Sequence, residues 1–141
     1  MIGWIAWAVL VAPIVFLIGT HRAAGDSPAT VGLQIAGAAL VVWARLAFGW
    51  RSFHAGSNPT RGGLVTRGPY RFVRHPIYAG VLLMLSGAVA AHCDAASLAA
   101  AAVAVAALGA RMFGEEREVR ARYPEYAEYA ARTRRLVPWI F

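Results

Sequence analysis

Two short groups of residues in this chain carry side chains that suit the binding of a small molecule with charges of both signs. One group is Arg74-His75-Pro76-Ile77-Tyr78, which stands where a basic segment meets an apolar one, and the other is the carboxylate pair Glu115-Glu116. A carboxylate binds an ammonium group, a histidine or arginine binds a carboxylate, and a tyrosine ring can face a cation. If the two groups meet, they form a candidate active site.

A helical hairpin would bring the two groups together. Hydrophobic runs cover residues 76 to 91 and 95 to 113, and the turn between them is His92-Cys93-Asp94. With Cys93 as the midpoint, His75 lies 18 residues before it and Arg111 lies 18 residues after it. Because antiparallel helices have the same rise per residue, we predict that His75 lies level with Arg111 and that Glu115 lies one turn further out.

The composition is typical of a membrane protein. Of 141 residues, 59% are hydrophobic and 15% are charged, whereas soluble domains carry about 25% charged residues. Four hydrophobic runs, at residues 1 to 19, 31 to 49, 76 to 91 and 95 to 113, come near the roughly 20 residues that a bilayer core requires. We therefore predict an all-α integral membrane four-helix bundle that forms one domain over residues 1 to 141, with a loop at 50–75 and a helical tail at 114–141 forming the site.

Arginine residues determine the predicted orientation. The segment from Trp50 to His75 holds five arginines and no acidic residue, and the tail after Ala110 holds seven arginines against five glutamates. Basic segments next to membrane spans face the cytoplasm, so both termini should lie inside. All fourteen basic residues are arginine and alanine is abundant, which is typical of a bacterial protein and favours the bacterial inner membrane.

Charge and cysteine content exclude several kinds of partner. The net charge of +7 is divided between two segments beside the membrane, and without a nucleic-acid module it is better explained by anionic lipid headgroups. The one cysteine excludes an internal disulfide and a cysteine-cluster metal site. The four histidines show no ligand spacing either. We expect membrane lipids as partners, and neither nucleic acid nor a metal.

The last apolar run should extend beyond the bilayer. No proline interrupts the chain from Ala95 to Tyr123, and about 29 residues of helix measure roughly 43 Å, more than the roughly 30 Å of a hydrocarbon core. Pro124 should begin a new short helix that runs to about Arg134. Three tyrosines in this region are predicted to pack on the bundle or on the membrane, namely Tyr123, Tyr126 and Tyr129.

An ordered series of motifs over residues 57 to 139 resembles the isoprenylcysteine carboxyl methyltransferase family. The series consists of Asn58-Pro59, the string from Leu64 to Gly80 that reads LVTRGPYRFVRHPIYAG, the pair Glu115-Glu116, and a tail with Tyr126, Tyr129 and Arg132. The related phospholipid N-methyltransferases share the arginine-histidine-proline stretch and the double glutamate. A lone RHP would be weak evidence, but the ordered series is specific.

The resemblance implies methyl transfer that depends on S-adenosylmethionine, at the cytoplasmic mouth of the bundle. It assigns Arg111, one turn before the glutamate pair, to the side of the methyl acceptor, where it would act as the catalytic residue. Where some members of the family have a polar residue before the leucine-valine pair, this chain has Gly62-Gly63. By matching positions, the cofactor-binding residues are Leu64, Val65, Tyr70, His75, Pro76, Tyr78 and Glu115, with Glu116 as the alternative glutamate.

The methyl acceptor stays open. The resemblance favours a carboxylate on a lipophilic molecule that arrives from the bilayer, and Arg111 would orient it. A phospholipid amine or a thiol is the alternative, and a general base would then be needed to remove a proton. A non-catalytic membrane scaffold and a nicotinamide-dependent membrane reductase are the remaining possibilities. For single residues, the simpler explanations are a solvated helix face for Glu115-Glu116 and interfacial aromatic residues for Tyr70 and Tyr78.

Overall fold

The computed structural model describes residues 2–49, 64–138 and 140–141. Within these ranges the chain forms five α-helices and no strand, and a short 3-10 helix at Gly68–Arg71 precedes the third α-helix. The prediction of an all-α fold is confirmed for these ranges. The helices are α1 (Ile2–Gly19), α2 (Pro28–Phe48), α3 (Pro76–Ala91), α4 (Ala95–Arg122) and α5 (Tyr126–Arg132).

Most helix boundaries follow the sequence prediction. Helix α3 covers the predicted residues, and Pro76 occupies its first turn. Helix α2 begins earlier than expected, at Pro28, because Ser27 and Thr30 form a reciprocal capping box in front of it. Helix α5 is shorter than predicted and ends at Arg132, since Thr133 is already extended. Several predicted features, among them Asn58-Pro59, Gly62-Gly63 and most of the basic loop, lie outside the described residues.

Helices α2 and α4 are long and apolar enough to cross a membrane. The 28 residues of α4 measure about 42 Å, so the helix extends beyond a hydrocarbon core of roughly 30 Å. Helix α3 is shorter, with 16 residues. The structure therefore accounts for two long apolar helices, and the four crossings expected from the sequence stay a prediction.

The outward face of α2 is strongly apolar. The side chains of Ile35, Val42, Trp43 and Leu46 are exposed, with Leu46 at 74% and Ile35 at 65%. A soluble monomer rarely shows such a continuous apolar surface. This face suits contact with lipid tails, in agreement with the membrane composition.

Glycines allow α2 and α3 to pack closely. A Cβ atom on Gly37 would lie 2.5 Å from the carbonyl oxygen of Gly80, and one on Gly80 would lie 2.6 Å from that of Gly37. Further along the same pair, a Cβ on Gly87 would lie 2.7 Å from the carbonyl oxygen of Thr30. Small residues permit this approach between helices in lipid, where packing replaces the hydrophobic effect as the source of association.

Helix α4 packs against both α1 and α3. Leu17 of α1 and Leu85 of α3 form a buried cluster with Ala100 and Ala104 of α4. Nearer the Glu115-Glu116 end, a second cluster joins the two helices of the hairpin. Its members are Ala107, Leu108, Tyr78, Val81 and Leu82. The hairpin that the site requires is therefore held by apolar contacts along its length.

The short turn of the hairpin is held by Asp94. Its Oδ1 accepts a hydrogen bond of 2.9 Å from the backbone N–H of Ser97, which caps α4, and its Oδ2 accepts one of 2.9 Å from Nε of Arg22. These bonds lower the pKa of Asp94 to about 2, the backbone hydrogen bond from Ser97 being the largest cause. The turn is thus attached to the α1–α2 connection.

The glycine contact between α2 and α3 leads to a stability test. We expect Gly80→Ala to lower the free energy of unfolding by at least about 1 kcal/mol, since the added methyl group overfills a closely packed position. Gly32→Ala is the matched control, because a Cβ at Gly32 meets nothing within 4 Å. Thermal unfolding in detergent measures both variants. Equal stability of the two would contradict the packing described here.

Candidate functional site

The α3–α4 hairpin brings the two predicted groups together. Tyr78 contacts Glu115 and Arg111, and His75 contacts Glu116. The side-chain contacts are therefore displaced by about one turn from the predicted level of His75 with Arg111. Helical side chains lean toward the N-terminus of their own helix. In an antiparallel pair this lean displaces contacts, so that a residue deeper in α3 meets one further along α4.

The first cluster consists of Tyr78, Arg111 and Glu115. The Tyr78 hydroxyl donates a hydrogen bond of 2.7 Å to Oε1 of Glu115 and accepts one of 2.8 Å from Nε of Arg111. Arg111 also forms an ion pair with Glu115 through Nη2, at 2.9 Å from Oε1. The Arg111 side chain is 8% exposed and that of Glu115 is 24% exposed. Glu115 is therefore more accessible to a ligand than Arg111 is.

The second cluster surrounds Glu116 with basic side chains. Its Oε1 lies 2.9 Å from Nε of Arg74 and 3.3 Å from Nε2 of His75, and its Oε2 lies 3.2 Å from Nε of Arg135. The Glu116 side chain is only 6% exposed. Burial raises the pKa of this carboxyl, but the hydrogen bonds from His75 and Arg74 and their charges outweigh burial and hold the pKa at about 2. Glu116 is ionised at neutral pH.

The rings of His75 and Tyr78 join the two clusters. They are stacked, with centroids 5.4 Å apart and planes inclined by 2°. His75 is the residue before the first turn of α3, and Tyr78 lies in that turn. Pro76 between them is fully buried and holds the start of the helix in place. The result is an aromatic surface with a carboxylate at each end.

The chain after α5 runs alongside the segment that leads into α3. Three backbone hydrogen bonds connect them, from Arg134 to the Phe72 carbonyl, from Arg74 to the Arg134 carbonyl and from His75 to the Arg135 carbonyl, at 3.2, 2.7 and 2.9 Å. The guanidinium of Arg74 adds bonds of 2.9 and 2.6 Å to the carbonyl oxygens of Ala130 and Thr133. His75 is therefore held from its backbone as well as from its side chain.

Two tail tyrosines are buried, which agrees with the predicted packing. Tyr126 is 4% exposed and Tyr129 is 5% exposed. The Tyr129 hydroxyl donates a hydrogen bond of 2.7 Å to the carbonyl oxygen of Tyr70. Burial raises the pKa of Tyr129 above its usual value, so this hydroxyl keeps its proton and remains a donor.

The other predicted cofactor residues lie on the approach to α3. Tyr70 is buried, and its ring centroid is 5.6 Å from that of Phe48. Burial raises the pKa of Tyr70 to about 12, with the charge of Arg45 opposing and that of Glu115 adding to the rise. Leu64 and Val65 are half-buried in a segment without regular secondary structure. In the part of the chain that the structure describes, no hydrogen bond joins these two residues to the clusters.

The approach segment needs glycine at one position. Gly68 has a φ of +60°, and a Cβ there would lie 2.7 Å from Cβ of Ala47 at the end of α2. The neighbouring Arg67 donates a hydrogen bond of 2.9 Å from Nε to the Ala47 carbonyl oxygen. Sequence reasoning assigned Arg67 to topology and lipid contact, whereas the structure also shows that it caps α2.

Sequence reasoning missed the contributions of Arg74 and Arg135. Arg74 belongs to the family motif, yet its position in the motif did not predict which residue it contacts. Arg135 is one of two consecutive arginines in a basic tail, and no signal in the sequence distinguishes it from Arg134. Only the pairing of the tail with residues 72 to 75 shows which of the two faces Glu116.

Comparison with known proteins identifies the family of the chain. A family model described as phospholipid methyltransferase matches residues 28–126. The chain belongs to the phospholipid methyltransferase family. The matched range contains both candidate clusters apart from Arg135, and it supports a membrane methyltransferase at that level. The narrower resemblance to isoprenylcysteine carboxyl methyltransferases stays a prediction.

One curated relative extends the comparison to nearly the whole chain. It is the cobalt-zinc-cadmium resistance protein CzcN of Cupriavidus metallidurans, which is 34% identical over 137 residues, covering 94% of this chain and 62% of the relative. The chain thus spans less than two thirds of that relative's length. No solved structure matches the chain.

The ionisation of Glu116 predicts how stability depends on pH. Its folded-state pKa of about 2 lies below the ordinary value of 4.5. Its contribution to stability is therefore complete above the ordinary pKa and is lost as the pH falls toward 2. We expect Glu116→Gln to lower the free energy of unfolding by at least about 1 kcal/mol at pH 7, and the difference from wild type to shrink in acid.

Thermal unfolding in detergent at neutral and acidic pH tests this expectation. Glu128→Gln is the matched control, since Glu128 makes an ion pair with Arg132 on the surface, where its side chain is 77% exposed. Exposed pairs contribute little. A Glu116→Gln variant as stable as this control at neutral pH would show that the contacts of Glu116 with its three basic partners do not stabilise the fold.

Proposed function

We propose that the chain is a methyltransferase that uses S-adenosylmethionine and acts on a lipophilic acceptor arriving from the bilayer. The observation that carries the proposal is the convergence of Glu115, His75 and Tyr78 at one end of the α3–α4 hairpin. In the proposed orientation this end is cytoplasmic and the membrane is the bacterial inner membrane. Both termini then lie inside.

The charges of the two clusters match those of S-adenosylmethionine. That molecule carries an ammonium, a carboxylate and a sulfonium, and it supplies the methyl group that is transferred. Glu115 is the preferred partner of the ammonium, because its side chain is 24% exposed and its contacts with Tyr78 and Arg111 fall on Oε1. Glu116 is the weaker candidate, since it is 6% exposed and already faces three basic groups.

The stacked rings provide the second part of the site. His75 can donate a hydrogen bond to the carboxylate of the cofactor, and the face of Tyr78 can lie against the sulfonium or the adenine. Leu64, Val65 and Tyr70 are assigned to the cofactor by the family resemblance. Pro76 contributes by fixing the start of α3, since its ring is fully buried.

The reaction needs alignment more than reactive side chains. A lone pair of the acceptor attacks the methyl carbon, the bond from that carbon to sulfur breaks, and the bonding electrons leave with a neutral thioether. No protein nucleophile takes part. Holding the reactants in a near-attack geometry can supply roughly 7 to 11 kcal/mol of the barrier. In this proposal Arg111, which pairs with Glu115, orients the acceptor.

Two acceptor classes remain distinguishable by experiment. A carboxylate acceptor would pair with Arg111 and has no proton to lose. A phospholipid amine, which the family description favours, or a thiol must lose a proton to a base or to water. The name of the relative concerns metal resistance and identifies no methyl acceptor.

Cofactor binding tests the proposed function. We expect the purified protein in detergent to bind S-adenosylmethionine, and Glu115→Gln and His75→Ala each to weaken binding at least about tenfold, equivalent to roughly 1.4 kcal/mol. Isothermal titration calorimetry measures the affinity, with the surface variant Glu128→Gln as the control. Absence of binding by the wild type would favour a non-catalytic scaffold. Unchanged binding in both site variants would reject the site assignment.

The acceptor is identified by mass spectrometry. A bacterial membrane lipid extract is incubated with the protein and S-adenosylmethionine that carries an isotope-labelled methyl group. We expect a lipid of the extract to gain the labelled methyl group, and its fragmentation to locate the label on a carboxylate, an amine or a thiol. Label that appears only on water-soluble compounds would contradict a lipophilic acceptor.

A further inference from the structure

The end of the chain completes the candidate site although it lies beyond the family match. The matched residues end at 126, whereas Arg135 contacts Glu116 through its side chain and His75 through its backbone. Its Nε lies 3.2 Å from Oε2 of Glu116, and its carbonyl oxygen accepts a hydrogen bond of 2.9 Å from the His75 N–H. One residue of the tail therefore contacts both Glu116 and His75.

The guanidinium of Arg135 lies over two aromatic rings. Its central carbon lies 5.1 Å from the centroid of Phe113 and 5.4 Å from that of Phe141. A planar guanidinium stacks on aromatic rings and keeps its N–H groups in fixed directions, which the flexible ammonium of lysine does not. The two rings thus direct the Nε of Arg135 toward Glu116.

The contacts of Glu116 divide between its two oxygens. Oε1 faces Arg74 and His75, while Oε2 faces Arg135. A carboxylate held at both oxygens has a fixed plane, so the position of Oε1 depends on the contact at Oε2. His75 contacts Oε1 on one side and the Tyr78 ring on the other. The position of the His75 ring therefore depends on Arg135 through Glu116.

We propose that Arg135 is a positioning residue of the cofactor site, which acts by orienting Glu116 and through it the His75 ring. This inference rests on the proposed function and extends the cofactor site to the tail after residue 126. Glu116 then holds the site together, and Glu115 contacts the cofactor.

Cofactor affinity in three arginine variants tests the proposal. Arg135→Gln removes the charge, Arg135→Lys keeps it without the planar group, and Arg134→Gln makes the same change in the neighbouring arginine, whose side chain is exposed. We expect Arg135→Gln to weaken S-adenosylmethionine binding about tenfold, roughly 1.4 kcal/mol, and Arg135→Lys to bind more tightly than Arg135→Gln. Arg134→Gln should bind as the wild type does.

The pH dependence of binding separates positioning from a general loss of structure. The groups that face Glu116 are Arg74 and His75 before α3, Tyr126 of α5 and Arg135 of the tail. Without the Arg135 charge, the pKa of Glu116 rises, because one of its stabilising cations is gone. We therefore expect the acid loss of binding to begin at a higher pH in Arg135→Gln than in the wild type.

Phe113→Leu supplies a second variant in case Arg135→Gln does not fold. Phe113 is 52% exposed, so the variant should fold. The change removes one of the rings beside Arg135 and substitutes neither Arg135 nor Glu116. We expect a weaker affinity and a shift of the acid limit in the same direction, both smaller than in Arg135→Gln.

The outcomes distinguish the two proposals. Wild-type protein that fails to bind S-adenosylmethionine overturns the proposed function. Wild-type protein that binds, together with a folded Arg135→Gln variant that has unchanged affinity and an unchanged acid limit, overturns the role of Arg135 and leaves the function standing. An Arg135→Lys variant that binds S-adenosylmethionine no better than Arg135→Gln also overturns the role of Arg135. If Arg135→Gln does not fold, a Phe113→Leu variant with unchanged affinity and an unchanged acid limit overturns that role.

Discussion

The burial of one carboxylate, Glu116, determines how the chain folds at the Glu115-Glu116 end of the α3–α4 hairpin. A carboxylate that is 6% exposed loses most of its hydration, and it remains charged only because basic groups replace the water. Those groups come from two places in the chain, namely the segment before α3 and the tail. Satisfying a single charge therefore requires that residues 72 to 75 and residues 133 to 135 be folded against the end of α4.

That requirement explains how a small membrane protein can order the residues at the Glu115-Glu116 end of the α3–α4 hairpin. Glycine packing holds α2 and α3 together, as the close approach of Gly37 and Gly80 shows. The Glu115-Glu116 end of the hairpin is held differently. Here the order comes from hydrogen bonds, with Arg74 connecting Glu116 to the carbonyl oxygens of Ala130 and Thr133. Glu115 stays accessible beside this rigid part, which is the arrangement that a ligand site needs.

Much of the candidate site could be predicted from the sequence because it depends on helix geometry. Apolar runs on either side of a three-residue turn place the arginine-histidine-proline stretch near Glu115-Glu116, whatever the details of packing. The side-chain contacts are displaced by about a turn from the predicted level because side chains lean along their helices, so that Tyr78 contacts Arg111 and His75 contacts Glu116. The role of Arg135 could not be predicted, since adjacent arginines in a tail are equivalent until the tail has a partner.

The sequence by itself determined the helical class, the hairpin and the chemistry of the side chains that meet at its end, because these follow from local apolar periodicity and residue type. Only the tertiary structure decided which glutamate is enclosed and which is accessible. That distinction depends on the backbone pairing of Val73 with Arg134. The two residues are about 60 positions apart in the chain, and no local sequence pattern specifies such a pairing.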